Sequence, residues 1–206
     1  MSRLAMRPVL AWSLLAVATL TAAALYVRER TRPALPVIAT LPHFALVERD
    51  GTEVGLADLA GAPWVADFIF TRCPLVCPRL TEKMLELHRS LGESSPVRLV
   101  SFSVDPDHDT PVVLAEYARA HGIEGPSWLF LTGEKAVVRG LIREGFLLPV
   151  EDTPDVPQMP VLHSSRFVLV DSEGRIRGMY LPFEPGEPER LLDDLTALRR
   201  EERRRR

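Results

Sequence analysis

The chain contains two cysteines, Cys73 and Cys77, which stand four residues apart in the stretch FTRCPLVCP. Residues four apart lie on the same face of a helix, with their Cβ atoms about 5–6 Å from each other. Two thiols placed in this way can share a metal ion, or close into a disulfide after a small adjustment. The spacing therefore leaves three kinds of chemistry open: a structural disulfide, a thiol–disulfide redox couple and a soft-metal site.

Physical arguments weigh differently on these three interpretations. A disulfide that closes a loop of only three residues gains little chain-entropy stabilisation, because this gain grows with loop length. Redox pairs usually have the shorter Cys-x-x-Cys spacing. Two thiolates suit Cu(I), and an added imidazole also accommodates Cu(II), whereas structural zinc usually takes four protein ligands. If the pair binds a metal, the donor set favours copper over zinc.

Five histidines are candidate third ligands. Four of them, His43, His88, His108 and His121, lie at positions typical of surface residues. His163 ends a long proline-rich loop and directly precedes a strand pattern. If this strand lies beside the one that leads to the cysteines, the loop before it lies against the N-terminus of the cysteine-bearing helix. His163 can therefore approach the two thiols, although a loop histidine in such a position is more often structural than a ligand.

The residues around the two cysteines predict the elements that position them. The preceding stretch PWVADFIF, residues 63–70, is apolar and rich in strand formers, which is typical of a strand buried on both faces. Pro78 suits the first turn of a helix, and the apolar residues after it repeat on one helical face up to Gly92. Cys73 and Cys77 are therefore predicted at a strand–helix junction, where the helix N-terminus favours the thiolate.

The remaining segments alternate between strand and helix patterns. In chain order they predict a hairpin around Asp50-Gly51, strands over 63–70, 97–104 and 127–132 alternating with helices over 79–91, 111–121 and 134–145, a proline-rich loop, a hairpin of strands over 165–171 and 175–181, and a last helix over 186–199. This order predicts an α/β fold with a mixed sheet and helices on both faces. It is the order of a thioredoxin-like fold with an N-terminal β-hairpin and an inserted helix.

The N-terminal segment differs in composition from the rest of the chain. Residues 8–27 carry no charge, and about 20 helical residues span roughly the 30 Å hydrocarbon core of a bilayer. A cleaved signal peptide is the alternative, because Ala22-Ala23-Ala24 resembles a small-residue cleavage site. We predict an uncleaved transmembrane anchor behind a short tail over 1–7. Since long domains cross membranes largely regardless of charge, the C-terminal domain is expected on the exported side.

Charge and proline content divide the chain after this segment. Residues 28–42 are predicted to be an extended linker, residues 43–198 a folded domain and residues 199–206 an arginine-rich tail. Residues 33–198 carry 14 basic and 25 acidic side chains, a balance of −11. Such a domain is expected to repel nucleic acid. The tail, RREERRRR, is typical of a solvated chain end.

Three motifs, FTRCPLVCP, SFSVDPDHDTP and LHSSRFVLVDSEGRI, resemble the SCO/SenC family in order and spacing, over about residues 40–197. The resemblance implies a membrane-anchored copper protein of thioredoxin-like fold that helps assemble the binuclear copper site of cytochrome c oxidase. It implies that Cys73 and Cys77 are the copper thiolates and His163 the third ligand. In a bacterium, such a protein is expected in the inner membrane with its domain on the periplasmic side.

Two positions depart from the pattern of this family. Leu75 and Leu162 stand where aspartates are common, which makes the site more apolar and, as a hypothesis, favours Cu(I) over Cu(II). Asp105 and Asp109 match an acidic loop of the family, and they are candidate contacts to a partner, or else parts of a turn and a helix start.

The sequence thus predicts a copper chaperone that passes copper to an oxidase subunit by ligand exchange. A thiol–disulfide oxidoreductase that uses Cys73 and Cys77 is the alternative, because a copper-free dithiol can donate electrons by exchange. A copper sensor is a third possibility.

Overall fold

The structure is a computed structural model, and it describes residues 12–21, 23, 34–74, 76–92, 95–153, 156 and 161–205. The chain divides into two compact units, Met1–Ala34 and Leu35–Arg206. In the first unit, residues 12–21 and 23 are helical and exposed. The other residues of the predicted anchor over 8–27, and the predicted tail over 1–7, lie outside the described residues. Within the described part of the chain, no helix combines the length and apolarity that a membrane span requires.

The second unit contains an eight-stranded mixed sheet and a two-stranded sheet. The strands are β1 (Ala39–Thr40), β2 (Ala45–Glu48), β3 (Glu53–Gly55), β4 (Trp64–Ile69), β5 (Arg98–Ser103), β6 (Trp128–Thr132), β7 (Val150–Asp152), β8 (Val161–His163), β9 (Phe167–Val170) and β10 (Arg175–Tyr180). The large sheet has the order β1-β10-β9-β4-β5-β6-β2-β3, and β7 pairs with β8. The pairs of β5 with β4 and β6 are parallel, and every other described pair is antiparallel.

Four α-helices and a short 3₁₀ helix over Leu56–Leu59 accompany these sheets in the second unit's described residues. The α-helices are α1 (Val76–Leu91), α2 (Pro111–Ala120), α3 (Lys135–Gly140), which continues as a π-helical turn over Leu141–Gly145, and α4 (Glu187–Arg205). The sequence explains the start of α2. Thr110 caps this helix by accepting a hydrogen bond from the backbone N–H of Val113, and Pro111 occupies the first turn. The alternation of strands and helices confirms the predicted α/β architecture.

An aromatic cluster fills one face of the central sheet. The rings of Trp64, Phe68 and Phe102 meet Phe146, which follows the π-helical turn, with ring centroids 5.0–6.2 Å apart. All four side chains are fully buried. Because side chains alternate along a strand, the residues between them point to the opposite face.

Helices α1 and α2 cover that opposite face. The ring of His88 on α1 lies 6.0 Å from that of Trp128, and Tyr117 on α2 lies 6.2 Å from Phe130. The indole N–H of Trp128 donates to the Ser101 hydroxyl at 2.9 Å. This face therefore contains buried polar groups as well as apolar ones.

The structure differs from the predicted elements at three places. Helix α1 begins at Val76, ahead of Pro78, so that Cys77 lies inside its first turn. The proline-rich loop contributes β7 and β8, and the predicted linker contributes β1, which pairs with β10. Helix α4 continues to Arg205, because Glu202 accepts a hydrogen bond from the backbone of Ser172 and Glu201 pairs with Arg177.

Candidate metal centre

Cys73 and Cys77 lie where β4 leads into α1. The backbone N–H of Cys73 donates to the carbonyl of Phe70 at 3.2 Å, which closes a tight turn after the strand. The backbone N–H of Cys77 points at the sulfur of Cys73, at 3.5 Å. Free N–H groups at a helix start stabilise negative charge, so this contact favours the thiolate of Cys73.

The two thiols differ in accessibility. Neither cysteine is in a disulfide. Cys77 has no exposed surface, and Cys73 is 7% exposed. The hydrogen bond with Cys73, and then burial, raise the pKa of the Cys77 thiol. Cys73 is therefore the outer and Cys77 the inner sulfur of the pair, and Cys77 keeps its proton at neutral pH.

His163 is brought to the inner sulfur by the small second sheet, in which it pairs with Val150. Its Nε2 lies 3.7 Å from the sulfur of Cys77, and its Nδ1 lies 3.0 Å from the carbonyl oxygen of Ser164. Since a carbonyl only accepts, Nδ1 carries the proton in the neutral ring and the lone pair of Nε2 faces the thiol. The ring also makes an edge contact with Phe70, with centroids 5.6 Å apart.

Burial sets the protonation of this histidine. It lowers the pKa of His163, and the hydrogen bond to the Ser164 carbonyl and the proximity of Cys73 offset this only in part. At neutral pH the ring is therefore uncharged, which is the form that binds a metal. The structure thus brings the predicted ligands Cys77 and His163 into contact, and Cys73 lies just before the helix with its sulfur 3.5 Å from the backbone nitrogen of Cys77.

Among the described residues, no three His, Cys, Asp or Glu side chains already form a cluster with metal-binding spacing. Of the three predicted ligands, Cys77 and His163 contact each other directly. The sulfur of Cys73 contacts the backbone N–H of Cys77. Of the two departures from the family pattern, Leu162 is half exposed and Leu75 lies outside the described residues.

The other four histidines are engaged or exposed elsewhere. His88 contacts the Ser127 hydroxyl at 2.9 Å, and His121 contacts the carbonyl oxygen of its own helix's Tyr117 at 2.9 Å. His43 and His108 are exposed. These placements agree with the sequence argument that set them apart from His163.

Asp109 anchors the turn that precedes the cysteines. It has no exposed surface, and its carboxylate accepts hydrogen bonds from the backbone and hydroxyl of Thr71, at 3.1 and 2.6 Å, and from the Ser103 hydroxyl at 2.6 Å. Asp105 is also buried and accepts a hydrogen bond from Arg72 at 2.7 Å. The geometry favours an internal role, holding the two residues before Cys73, over the predicted contact with a partner.

The strand before the cysteines contains a polar residue that its apolar sequence pattern does not single out. Asp67 lies in the middle of β4, within the stretch predicted as an apolar buried strand, and it has no exposed surface. Neither of its carboxyl oxygens has a hydrogen-bond partner. The available signal was a single carboxylate inside PWVADFIF, because an ionisable residue is rarely buried without a partner.

A family model described as SCO1/SenC matches residues 34–200 of this chain. Among curated proteins, the SCO1 protein homolog of Bacillus subtilis (strain 168) is 34% identical over 164 residues, which cover 79% of this chain and 84% of the relative. The match to the family model includes nearly all of the second structural unit.

Solved structures share the fold. BsSco, described as a member of the Sco family of cytochrome c oxidase assembly proteins in which a disulfide switch was identified, matches with a TM-score of 0.71 and 30% identity over 81% of this chain and 98% of that one. Bradyrhizobium japonicum ScoI with copper bound matches with a TM-score of 0.66 and 25% identity, over 78% and 99% of the two chains. These likenesses support the thioredoxin-like α/β fold that the sequence predicted.

Proposed function

This chain belongs to the SCO1/SenC family, and on that premise we propose that it is a copper chaperone that delivers copper to, or matures, the binuclear copper site of cytochrome c oxidase. The copper-bound Bradyrhizobium relative supports the choice of metal. The description of BsSco as an oxidase assembly protein supports the choice of process.

The observation that carries the proposal is the approach of His163 to the cysteine pair. Its Nε2 lone pair faces the Cys77 sulfur at 3.7 Å, and the Cys73 sulfur lies against the first turn of the same helix. Two thiolates and a neutral imidazole form a donor set that suits Cu(I) and accommodates Cu(II). We propose Cys73, Cys77 and His163 as the copper ligands.

The unequal exposure of the two sulfurs suits a carrier. A carrier needs few ligands and an open approach, so that the thiolates of an acceptor can displace its own one at a time. Cys73 retains some exposed surface, whereas Cys77 has none. We expect an incoming ligand to replace Cys73 first, and Cys77 with His163 to release copper afterwards.

The membrane location is part of the same proposal. Residues 8–27 carry no charge, and we propose that they anchor the protein in a bacterial inner membrane, with the copper-binding domain on the periplasmic side. The partner is then an oxidase subunit that meets the domain outside the cytoplasm. The negative balance of residues 33–198 argues against nucleic acid as a partner.

Competition titration with a Cu(I) chelator tests the proposal on the full chain in detergent micelles. Cys73→Ser and His163→Ala are each expected to weaken Cu(I) binding on the order of 100-fold, about 2.7 kcal/mol. His43→Ala, which changes an exposed histidine, is the matched control and is expected to bind like the wild type. Equal Cu(I) affinity in all four proteins would refute the chaperone proposal.

Thiol–disulfide exchange by Cys73 and Cys77 remains the second candidate function. It is favoured by the two thiols, neither of which is in a disulfide, and by the N–H contact that stabilises a Cys73 thiolate. His163→Ala separates the two functions, because it removes a proposed copper ligand but neither sulfur. The chaperone proposal predicts that this variant binds copper weakly and keeps much of its exchange with a model disulfide. Exchange that persists while copper affinity is unchanged by the substitution would favour the oxidoreductase.

A further inference from the structure

Asp67 is a buried carboxyl group that the proposed copper site does not use. It lies in the register position opposite Ser101 of β5, so both side chains share the sheet face that α1 and α2 cover. The hydroxyl of Ser101 receives the indole N–H of Trp128 at 2.9 Å. Within the described part of the chain, neither carboxyl oxygen of Asp67 has a hydrogen-bond partner, which is costly for a group without exposed surface.

The same face holds the inner thiol. Cys77 and Thr81 lie one turn apart on α1, and the Thr81 hydroxyl is 2.7 Å from the phenol of Tyr117 on α2. The charge of Asp67 raises the pKa of both Cys77 and Tyr117, although it is not the largest cause for either group. A carboxylate at Asp67 and a thiolate at Cys77 therefore repel each other inside one buried layer.

Among the residues that the structure describes, no positively charged group shifts the pKa of Asp67. Burial raises the pKa of Asp67 to about 7, and only the Ser101 hydroxyl, which is close but outside hydrogen-bond geometry, and the residue's own backbone oppose this. Among the described residues, the charge of Asp67 acts on Cys77 on α1 and Tyr117 on α2, and the phenol stays neutral at physiological pH because burial raises its pKa above its usual range. Asp67 is thus able to change its charge when the charge on the sulfurs changes.

Copper loading changes that charge by a known amount. When Cu(I) replaces the protons of two thiols, one positive charge meets two negative ones, so the neutral dithiol becomes a complex with a net charge of −1. The neutral imidazole of His163 adds none. With Cu(II), the same exchange leaves the sulfur site without net charge.

We propose that Asp67 takes up a proton when Cu(I) binds to Cys73 and Cys77, and so compensates the negative charge that the complex adds to the buried layer. The inference rests on the proposed function. Each thiol that is protonated before loading loses one proton, and the Asp67 carboxylate gains up to one. Fewer protons then leave the protein for each Cu(I) than would leave it without the Asp67 carboxyl group. Asp67 acts through the sulfurs and is not itself a ligand.

Calorimetry of Cu(I) binding in buffers of different ionisation enthalpy counts the released protons. In the full chain in detergent micelles at neutral to mildly alkaline pH, the wild type is expected to release fewer protons per Cu(I) than Asp67→Asn, by up to one. Ser101→Ala keeps the carboxyl group and is the matched control, so it is also expected to release fewer protons than Asp67→Asn. Infrared difference spectra on Cu(I) loading provide a second readout: a carboxylic-acid C=O band should grow in the wild type and not in Asp67→Asn.

The outcomes separate this inference from the function on which it rests. If the wild type and Asp67→Asn both bind Cu(I) but release equal numbers of protons and show the same infrared change, the role of Asp67 is refuted and the chaperone proposal stands. If neither protein binds Cu(I), the chaperone proposal fails and the inference fails with it.

Discussion

Asp67 and Asp171 are both fully buried, but they lie in opposite electrostatic surroundings. Asp171 follows β9 and accepts hydrogen bonds from Arg175 at 2.7 Å and Arg177 at 2.9 Å. Its other oxygen accepts the backbone N–H groups of Glu173 and Arg175. Although burial raises the pKa of Asp171, the hydrogen bonds from Arg175 and Arg177 lower it overall. Asp67 has no such partner, and its pKa is raised instead.

The difference separates a group that maintains the fold from one that can respond to the site. Arg177 also donates to the carbonyls of Leu35 and Pro36 and pairs with Glu201 on α4. The cluster around Asp171 therefore joins the first residues of the domain to its last helix, and its charges are fixed. Asp67 lies on the sheet face that α1 covers, and its pKa is raised to about 7. Its charge can therefore change near neutral pH, which the proposed proton uptake requires.

The largest expected effect comes from breaking the paired aspartate. Asp171→Ala leaves the buried Arg177 guanidinium, only 2% exposed, without its nearest carboxylate, and two backbone N–H groups without their acceptor. Removing one partner of a buried pair costs about 3–5 kcal/mol, and we expect a loss near 5 kcal/mol in the free energy of unfolding. Urea denaturation measures it. A loss below about 1 kcal/mol would contradict the assigned role of this cluster.

The pH dependence of stability distinguishes the two aspartates next. Because the folded-state pKa of Asp67, about 7, lies above the unfolded value of 3.8, its stabilising proton is lost as pH rises, and stability falls between these values by about 4 kcal/mol. The contribution of Asp171 to stability has the opposite pH dependence, because its folded-state pKa is lowered and the stability it provides is lost on acidification. Urea denaturation over a pH series should show a flatter profile in Asp67→Asn. An unchanged profile would contradict the assigned state of Asp67.

A smaller effect is expected where a buried aspartate is satisfied by neutral donors. Asp109→Ala removes the acceptor of the Thr71 backbone and of two hydroxyls, which costs about 2 kcal/mol of stability. The turn before Cys73 then loosens, and we expect Cu(I) affinity to fall about tenfold, or about 1.4 kcal/mol. Asp107→Ala is the control, because Asp107 lies on the same loop and makes an exposed pair with Lys135. Equal affinities in the two variants would argue against anchoring by Asp109.

Local patterns in the sequence predicted much of the fold. The apolar run over 63–70 and the helical repeat after Pro78 located β4 and α1, because burial and helical periodicity determine where apolar residues occur along the sequence. The approach of His163 to Cys77 also followed from the sequence, since the topology of the fold places the start of a late strand beside the cysteine-bearing helix.

The rest depends on contacts between distant residues. Strands β7 and β8 have three residues each, and only their mutual pairing makes them strands. The C-terminal residues were predicted as a solvated tail, but α4 reaches Arg205 because Glu201 and Glu202 find partners elsewhere in the domain. The state of Asp67 depends on the absence of a partner on its buried face, which a strand sequence cannot reveal.

Copper K-edge X-ray absorption of the Cu(I)-loaded full chain tests the central claim most directly, since it identifies the atoms bound to the metal. The account predicts two sulfur ligands and one imidazole nitrogen in the wild type, loss of the imidazole signal in His163→Ala, and loss of one sulfur in Cys73→Ser or Cys77→Ser. An unchanged copper environment in these variants would contradict the assignment of Cys73, Cys77 and His163 as the copper ligands.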